Sequence, residues 1–270
     1  MNTRHAIRAL LGAVLLASTL FFLTAVHSTL AAANTSCNVL ERDNAFILRT
    51  QGESSVISAL ASISYYDYAL CLPLPPPIQS ASHAWAAIIN GSGHGNDIIQ
   101  AGFIKCGVVQ AGCTNFPSEL RGITMAFWAY GIDNDYNHMP WPHPLALVSP
   151  VSHTFRVFKV NRTSCYWAMA MDQGLPDYAY ATVPCGTITW TPTAAQVGNE
   201  VWNSGDQIGG TVDAPQHFWN ESLTDGTGAT RYFLSNPAIL GHCYPEAVWG
   251  PGPHGYDWSS WTLTLDHPPC

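Results

Sequence analysis

Apolar and polar positions along this chain alternate in short runs broken by glycine, proline and asparagine, the pattern of β-strands joined by turns. The runs fall at Ala84–Asn90, Ile98–Val109, Gly122–Tyr130, His153–Asn161, Ser164–Met171, Tyr178–Val183, Thr187–Trp190, Asn199–Asn203 and Ser259–Leu265. Gly91–Asp97 reads as a flexible connection and Gly131–Asp135 as a strong turn. Helical spacing is scarce; Ser54–Tyr66 fits one short helix or a strand. The run Leu72-Pro73-Leu74-Pro75-Pro76-Pro77 makes a stiff extended linker that no helix can cross. Roughly nine to twelve short strands without intervening helices predict an antiparallel sandwich or barrel. No internal repeat and no second-domain boundary is visible after Pro77.

The first 33 residues break this pattern. Arg4 and Arg8 form a basic start, Ala9–Val26 an apolar core, and Ala31-Ala32-Ala33 a cleavage site of small residues, as in a secretory signal. The apolar stretch approaches bilayer-spanning length, but His27, Ser28 and Thr29 before the alanines favour cleavage over anchoring. The expectation is a secreted protein with no membrane attachment after cleavage, organised as signal peptide 1–33, N-terminal segment and linker 34–78, and sandwich 79–270.

Composition narrows the partners. Of 270 residues, 10 are Lys or Arg and 18 are Asp or Glu, so charged residues make up 10% against about 25% in ordinary domains. Hydrophobic residues reach 47%, which excludes a disordered chain. A net charge of −8 without basic clusters excludes nucleic acid as a partner, because phosphate binding needs several cations on one face. All eight cysteines follow the signal. An even count in an exported chain predicts disulfides. Sequence proximity suggests Cys106–Cys113, Cys165–Cys185 and Cys243–Cys270, leaving Cys37–Cys71. No C-x2-C pair and no histidine pair at ligand spacing points to a metal, so neither metal nor cofactor is expected.

The familiar catalytic signatures are missing: there is no G-x-S-x-G elbow, zinc helix or phosphate loop. A dispersed Ser-His-Asp triad stays open, since its members need not be close in sequence. Two segments stand apart. In Asp97-Ile98-Ile99-Gln100-Ala101-Gly102-Phe103, alternation puts Gln100 on one face with Ile98 and Gly102, an amide beside open space. In Gln196-Val197-Gly198-Asn199-Glu200-Val201-Trp202, a rare glutamate sits between Val and Trp neighbours, ahead of Asp206-Gln207-Ile208-Gly209-Gly210. Residue chemistry alone favours the ordinary readings, an amide satisfied by backbone and a glutamate on a solvent face.

Together these segments resemble the neprosin-like family of secreted prolyl endopeptidases and, more distantly, the glutamic peptidases. Ile99-Gln100-Ala101-Gly102-Phe103 is similar to the neprosin I-E-A-G-W strand bearing the first catalytic glutamate. Gly198-Asn199-Glu200-Val201 and Asp206–Gly210 are similar to its W-G-G-E-V strand and T-Q-M-G-S-G loop, where the second glutamate sits. The endings also look alike: Cys243-Tyr244, a Trp/Gly-rich stretch, an aromatic strand and a terminal Cys270. The likeness covers about residues 80–270 and rests on the shared order of motifs. It departs at Gln100, where neprosins carry Glu; a Gln/Glu pair is that of the fungal-type glutamic peptidases, whose L-Q-T-G strand is similar to Ile99–Gly102. Ile123–Tyr130 resembles their Y-A-W-Y-E-W strand without its glutamate. The short N-terminal portion is expected to lack the activation domain of the plant relatives.

This resemblance implies a disulfide-stapled, all-β antiparallel β-sandwich of concanavalin or jelly-roll type, with the pair on a concave face. It implies a monomeric endopeptidase, acting on peptide or protein substrates at acidic pH without a cofactor. Glu200 would be general base to a water and Gln100 donor to the oxyanion. Trp128, Tyr130, Trp202 and Gln207 are the expected substrate-binding residues. The rival expectation is a non-catalytic secreted carbohydrate- or protein-binding module on the same sandwich, served by the ten Trp and eleven Tyr.

Overall fold

The computed structural model describes residues 45–70, 80–91, 97–107, 113–132, 135–141, 151–175, 178–202, 206–240, 247–252 and 257–262. The signal segment, the Pro-rich run and the expected Cys37–Cys71 and Cys243–Cys270 bridges lie outside these residues. The strands are β1 Ala45–Gly52, β2 Val56–Ser64, β3 Ala81–Ile89, β4 Ile98–Cys106, β5 Thr124–Ile132, β6 Asp135–Pro140, β7 Ser152–Lys159, β8 Trp167–Met171, β9 Ala179–Val183, β10 Ala194–Val201, β11 Gln216–Asp225, β12 Thr230–Tyr232, β13 Ala238–Leu240, β14 Ala247–Pro251 and β15 Trp258–Thr262. A short 3-10 turn covers Ser118–Leu120.

The strands form two antiparallel sheets. The first runs β13-β1-β10-β3-β4-β5-β6, and the second β14-β15-β11-β2-β7-β8-β9, with β12 paired to β11. The all-β antiparallel sandwich expected from the sequence is the fold observed. The fifteen strands among the described residues exceed the expected range. Ser54–Tyr66 resolves as strand β2, while Thr187–Trp190 forms no strand.

Two strands come from the segment before the proline run. β1 lies between β13 and β10, and β2 lies between β11 and β7, so both sheets contain strands that precede the proline run. The proline run itself lies outside the described residues.

Alternation sorts each strand's side chains. Ala84, Ala86 and Ile88 of β3 and Ile99, Ala101 and Phe103 of β4 share the face turned to the second sheet. Phe103 meets Phe155 of β7 edge-on, with ring centroids 4.9 Å apart. Ala59, Ala61 and Ile63 of β2, and Phe155 and Val157 of β7, complete the core between the sheets. Two polar ties cross it. The Asn199 amide donates to Ser260 Oγ at 2.5 Å, and Arg49 of β1 pairs with Glu221 of β11 at 2.8 Å. Trp258, stacked on Phe218, donates its indole N–H to the same carboxylate. Burial pushes the Glu221 carboxyl up to about 7, against the opposing pull of Arg49 and the indole.

Both disulfides within the described residues, Cys106–Cys113 and Cys165–Cys185, match the pairing expected from proximity. Among the described residues no helix is long and apolar enough to cross a membrane.

Candidate active site

Strand register carries Gln100 and Glu200 to the same side of the first sheet. Gln100 of β4 lies opposite Ala87 of β3, and Ala87 opposite Gln196 of β10. Four residues along β10, Glu200 lies opposite His83, which lies opposite Ile104. Directly opposed residues share a face and alternate residues keep it. The two side chains therefore project from one surface, the one turned away from the second sheet, with β3 between their strands.

Glycines shape that surface. Trp85 of β3 is flanked on one side by Gly198 and on the other by Gly102. A Cβ at Gly102 would sit 1.9 Å from the Ala84 carbonyl oxygen, and one at Gly198 would sit 2.6 Å from that of Ile47. Both glycines are present because neighbouring backbone fills the space a side chain would need.

The polar groups on this surface are held in pairs. His83 Nε2 lies 2.9 Å from Glu200 Oε2. His138 of β6 reaches Gln100, with Nε2 to Nε2 at 3.2 Å. The two imidazoles lie 5.8 Å apart, and Trp202 meets them edge-on at 5.7 Å and 5.4 Å. His83 and Gln100 are 1% and 3% exposed, whereas the Glu200 side chain keeps 14% of its surface accessible. Buried donors around a carboxylate at the edge of water form a site able to orient a water molecule and to donate a hydrogen bond to a developing negative charge.

The other expected residues divide. Trp202 joins the cluster through both histidines. Trp128 and Tyr130 do not: Ala129 is opposite Gln100, so its two neighbours project from the reverse face, where their rings stack on each other. Their expected place beside the pair is corrected by strand alternation. Gln207 is buried and serves as a clamp, its Oε1 accepting from Ala69 N–H and its Nε2 donating to Tyr66 and to the Gly210 carbonyl. It fastens the 206–210 loop to the segment after β2, and those bonds engage the amide away from the pair.

His83 and His138 are the residues that sequence reasoning missed. His83 is a lone histidine in the apolar strand β3 and His138 one polar residue among others in β6, settings that carry no signal without the strand pairing.

The triad reading meets a different histidine. His217 Nδ1 and Ser259 Oγ are 2.7 Å apart, with Asp257 near enough to favour the charged ring against a desolvation that lowers its pKa. Ser259 is only 3% exposed, which denies a substrate carbonyl the approach a nucleophile requires. His153, by contrast, is paired with Asp172.

Among solved structures, the chain is similar to scytalido-glutamic peptidase with a transition state analog inhibitor, at a TM-score of 0.53 and 11% identity over 83% of this chain and 99% of that one. It is also similar to Scytalido-glutamic peptidase with a peptide based transition state analog, at a TM-score of 0.51, 11% identity and the same coverage. Likeness at this identity establishes a shared β-sandwich fold. No protein-family model matches the chain, and no curated protein matches it.

Proposed function

We propose that this chain is an exported endopeptidase of glutamic type that hydrolyses peptide bonds under acidic conditions. The observation that carries the reading is the placement of Gln100 and Glu200 on one face of one sheet, in a fold shared with glutamic peptidases. Those neighbours are described with transition state analogs, and the same chemistry is assigned here to a peptide substrate. The order of motifs shared with neprosins supports the same assignment.

Glu200, as carboxylate, takes a proton from a water that attacks the scissile carbonyl carbon. The carbonyl π electrons move to oxygen, and an amide N–H of Gln100 donates to that oxyanion. Collapse of the tetrahedral intermediate breaks the C–N bond, and Glu200 returns the proton to the leaving amine. Trp202 packs beside the pair and is assigned to the substrate-facing wall.

The test is digestion of a denatured protein across pH 2–6, with pepstatin and a chelator as controls. Cleavage resistant to both and lost in a folded Glu200→Gln variant is expected. Cleavage retained by that variant overturns the assignment, and an inactive wild type that binds glycans favours the binding module.

A further inference from the structure

Each member of the pair rests against its own histidine, and the two histidines touch the same tryptophan. His83 opposes Glu200 across the β3–β10 pairing and is almost wholly buried, so its Nε2 contact to Oε2 at 2.9 Å is shielded from competing water. Rings of Trp85, Phe127, His138 and Trp202 surround it, which leaves the imidazole little freedom to turn. The His138–Gln100 contact carries a chemical constraint. An amide nitrogen only donates, so at 3.2 Å the His138 Nε2 must accept, and the ring proton then sits on Nδ1. A doubly protonated His138 donates from both nitrogens, and the amide must then rotate to offer its oxygen, turning both N–H donors away from the ring.

We propose that His83 and His138 are positioning residues for the pair: His83 holds the Glu200 carboxylate, and the proton on His138 sets which end of the Gln100 amide faces the groove. This rests on the peptidase reading. The charged form of His138 presents the full amide donor set to an oxyanion, which ties the site's competence to acid. From β3, His83 faces His138, with Glu200 of β10 beyond it. β4 and β5 present Gln100 and Phe127, and Trp202 lies at the side.

The experiment uses the full exported chain. His83→Phe keeps the ring packing and removes the donor, and is expected to lower kcat about 100-fold at little changed KM, the size of effect a misplaced catalytic group produces. His83→Gln restores a donor and is expected to recover most of that loss. His138→Phe is expected to flatten the acid dependence of kcat. Independently of activity, 15N NMR at a fixed pH should show the His83 Nε2 signal shifting in Glu200→Gln and the His138 Nε2 signal shifting in Gln100→Leu. Wild-type kcat and pH profile in both Phe variants overturn the proposal, as do unmoved imidazole signals. Shifted imidazole signals in a protein that cleaves nothing support the pairing and sink the peptidase reading alone.

Discussion

Arg49 and Glu221 form a buried ion pair that joins the two sheets, at 2.8 Å and with both side chains more than nine-tenths removed from solvent. Above about pH 7, where the Glu221 carboxyl is ionised, breaking such a pair from one side leaves an uncompensated charge in the core. Arg49→Met is therefore expected to destabilise the fold by about 3–5 kcal/mol, with most of the loss recovered in Arg49→Met/Glu221→Leu. Urea denaturation of the single and double variants measures both quantities.

The same glutamate gives stability a dependence on pH. Its carboxyl ionises near an ordinary 4.5 when unfolded and at about 7 when folded, because burial disfavours the charge. Between those values the folded protein holds a proton that the unfolded chain has lost. Its contribution is complete below 4.5 and fades as pH rises to about 7, with a total on the order of 3 kcal/mol. Glu221→Gln should flatten the slope of unfolding free energy across that window.

Asp225 acts in the opposite sense. Hydrogen bonds from the Thr227 hydroxyl, followed by the Ala229 and Thr227 amides and the charge of Arg231, hold its carboxyl below the usual range. Its stabilisation is present above the unfolded carboxyl pKa and is lost as pH falls through the folded one. Asp225→Asn should therefore lessen the loss of stability in strong acid while leaving the window controlled by Glu221 untouched. Thermal unfolding followed from pH 2 to 7 separates the two.

Gln100→Leu removes the amide and keeps much of the volume. Losing a single oxyanion donor is worth a factor of about 10²–10³ in kcat, and that drop is expected with the far-UV spectrum unchanged. A wild-type kcat in this variant would remove Gln100 from the chemistry.

Gly102→Ala tests the shape of the surface. The new methyl meets carbonyl and Cα atoms of the adjoining strand, at 1.9 Å and 2.7 Å, and backbone cannot step aside as a side-chain tip can. A loss at or above the usual overpacking cost of about 3 kcal/mol is expected, read as a fall in the urea midpoint.

Sequence patterning exposed the central strands but not all of their neighbours. β3 and β4 are legible because their apolar runs are long and bounded by a glycine-rich connection. β11 escaped because its period breaks: pairing with β2 shifts register between Trp219 and Ser222, and Asn220 takes a φ of 55° at the bulge. Gln100 and Glu200 were visible as polar exceptions in apolar strands. The reversed face of Trp128 and Tyr130 follows from the β4–β5 register, which no single strand encodes. The histidine partners are invisible for the same reason, since His83 and His138 become neighbours only through the order β3-β4-β5-β6.

The strands that present Gln100, His83 and Glu200 outward also supply Ala101, Ala84 and Asn199 to the seam between the sheets. A slip of one residue in β4 would turn Gln100 into the apolar seam and Ala101 outward, so the polar cluster and the packed seam would be lost together. The register that packs the seam between the sheets is thus the same register that gathers Gln100, His83 and Glu200 on one surface.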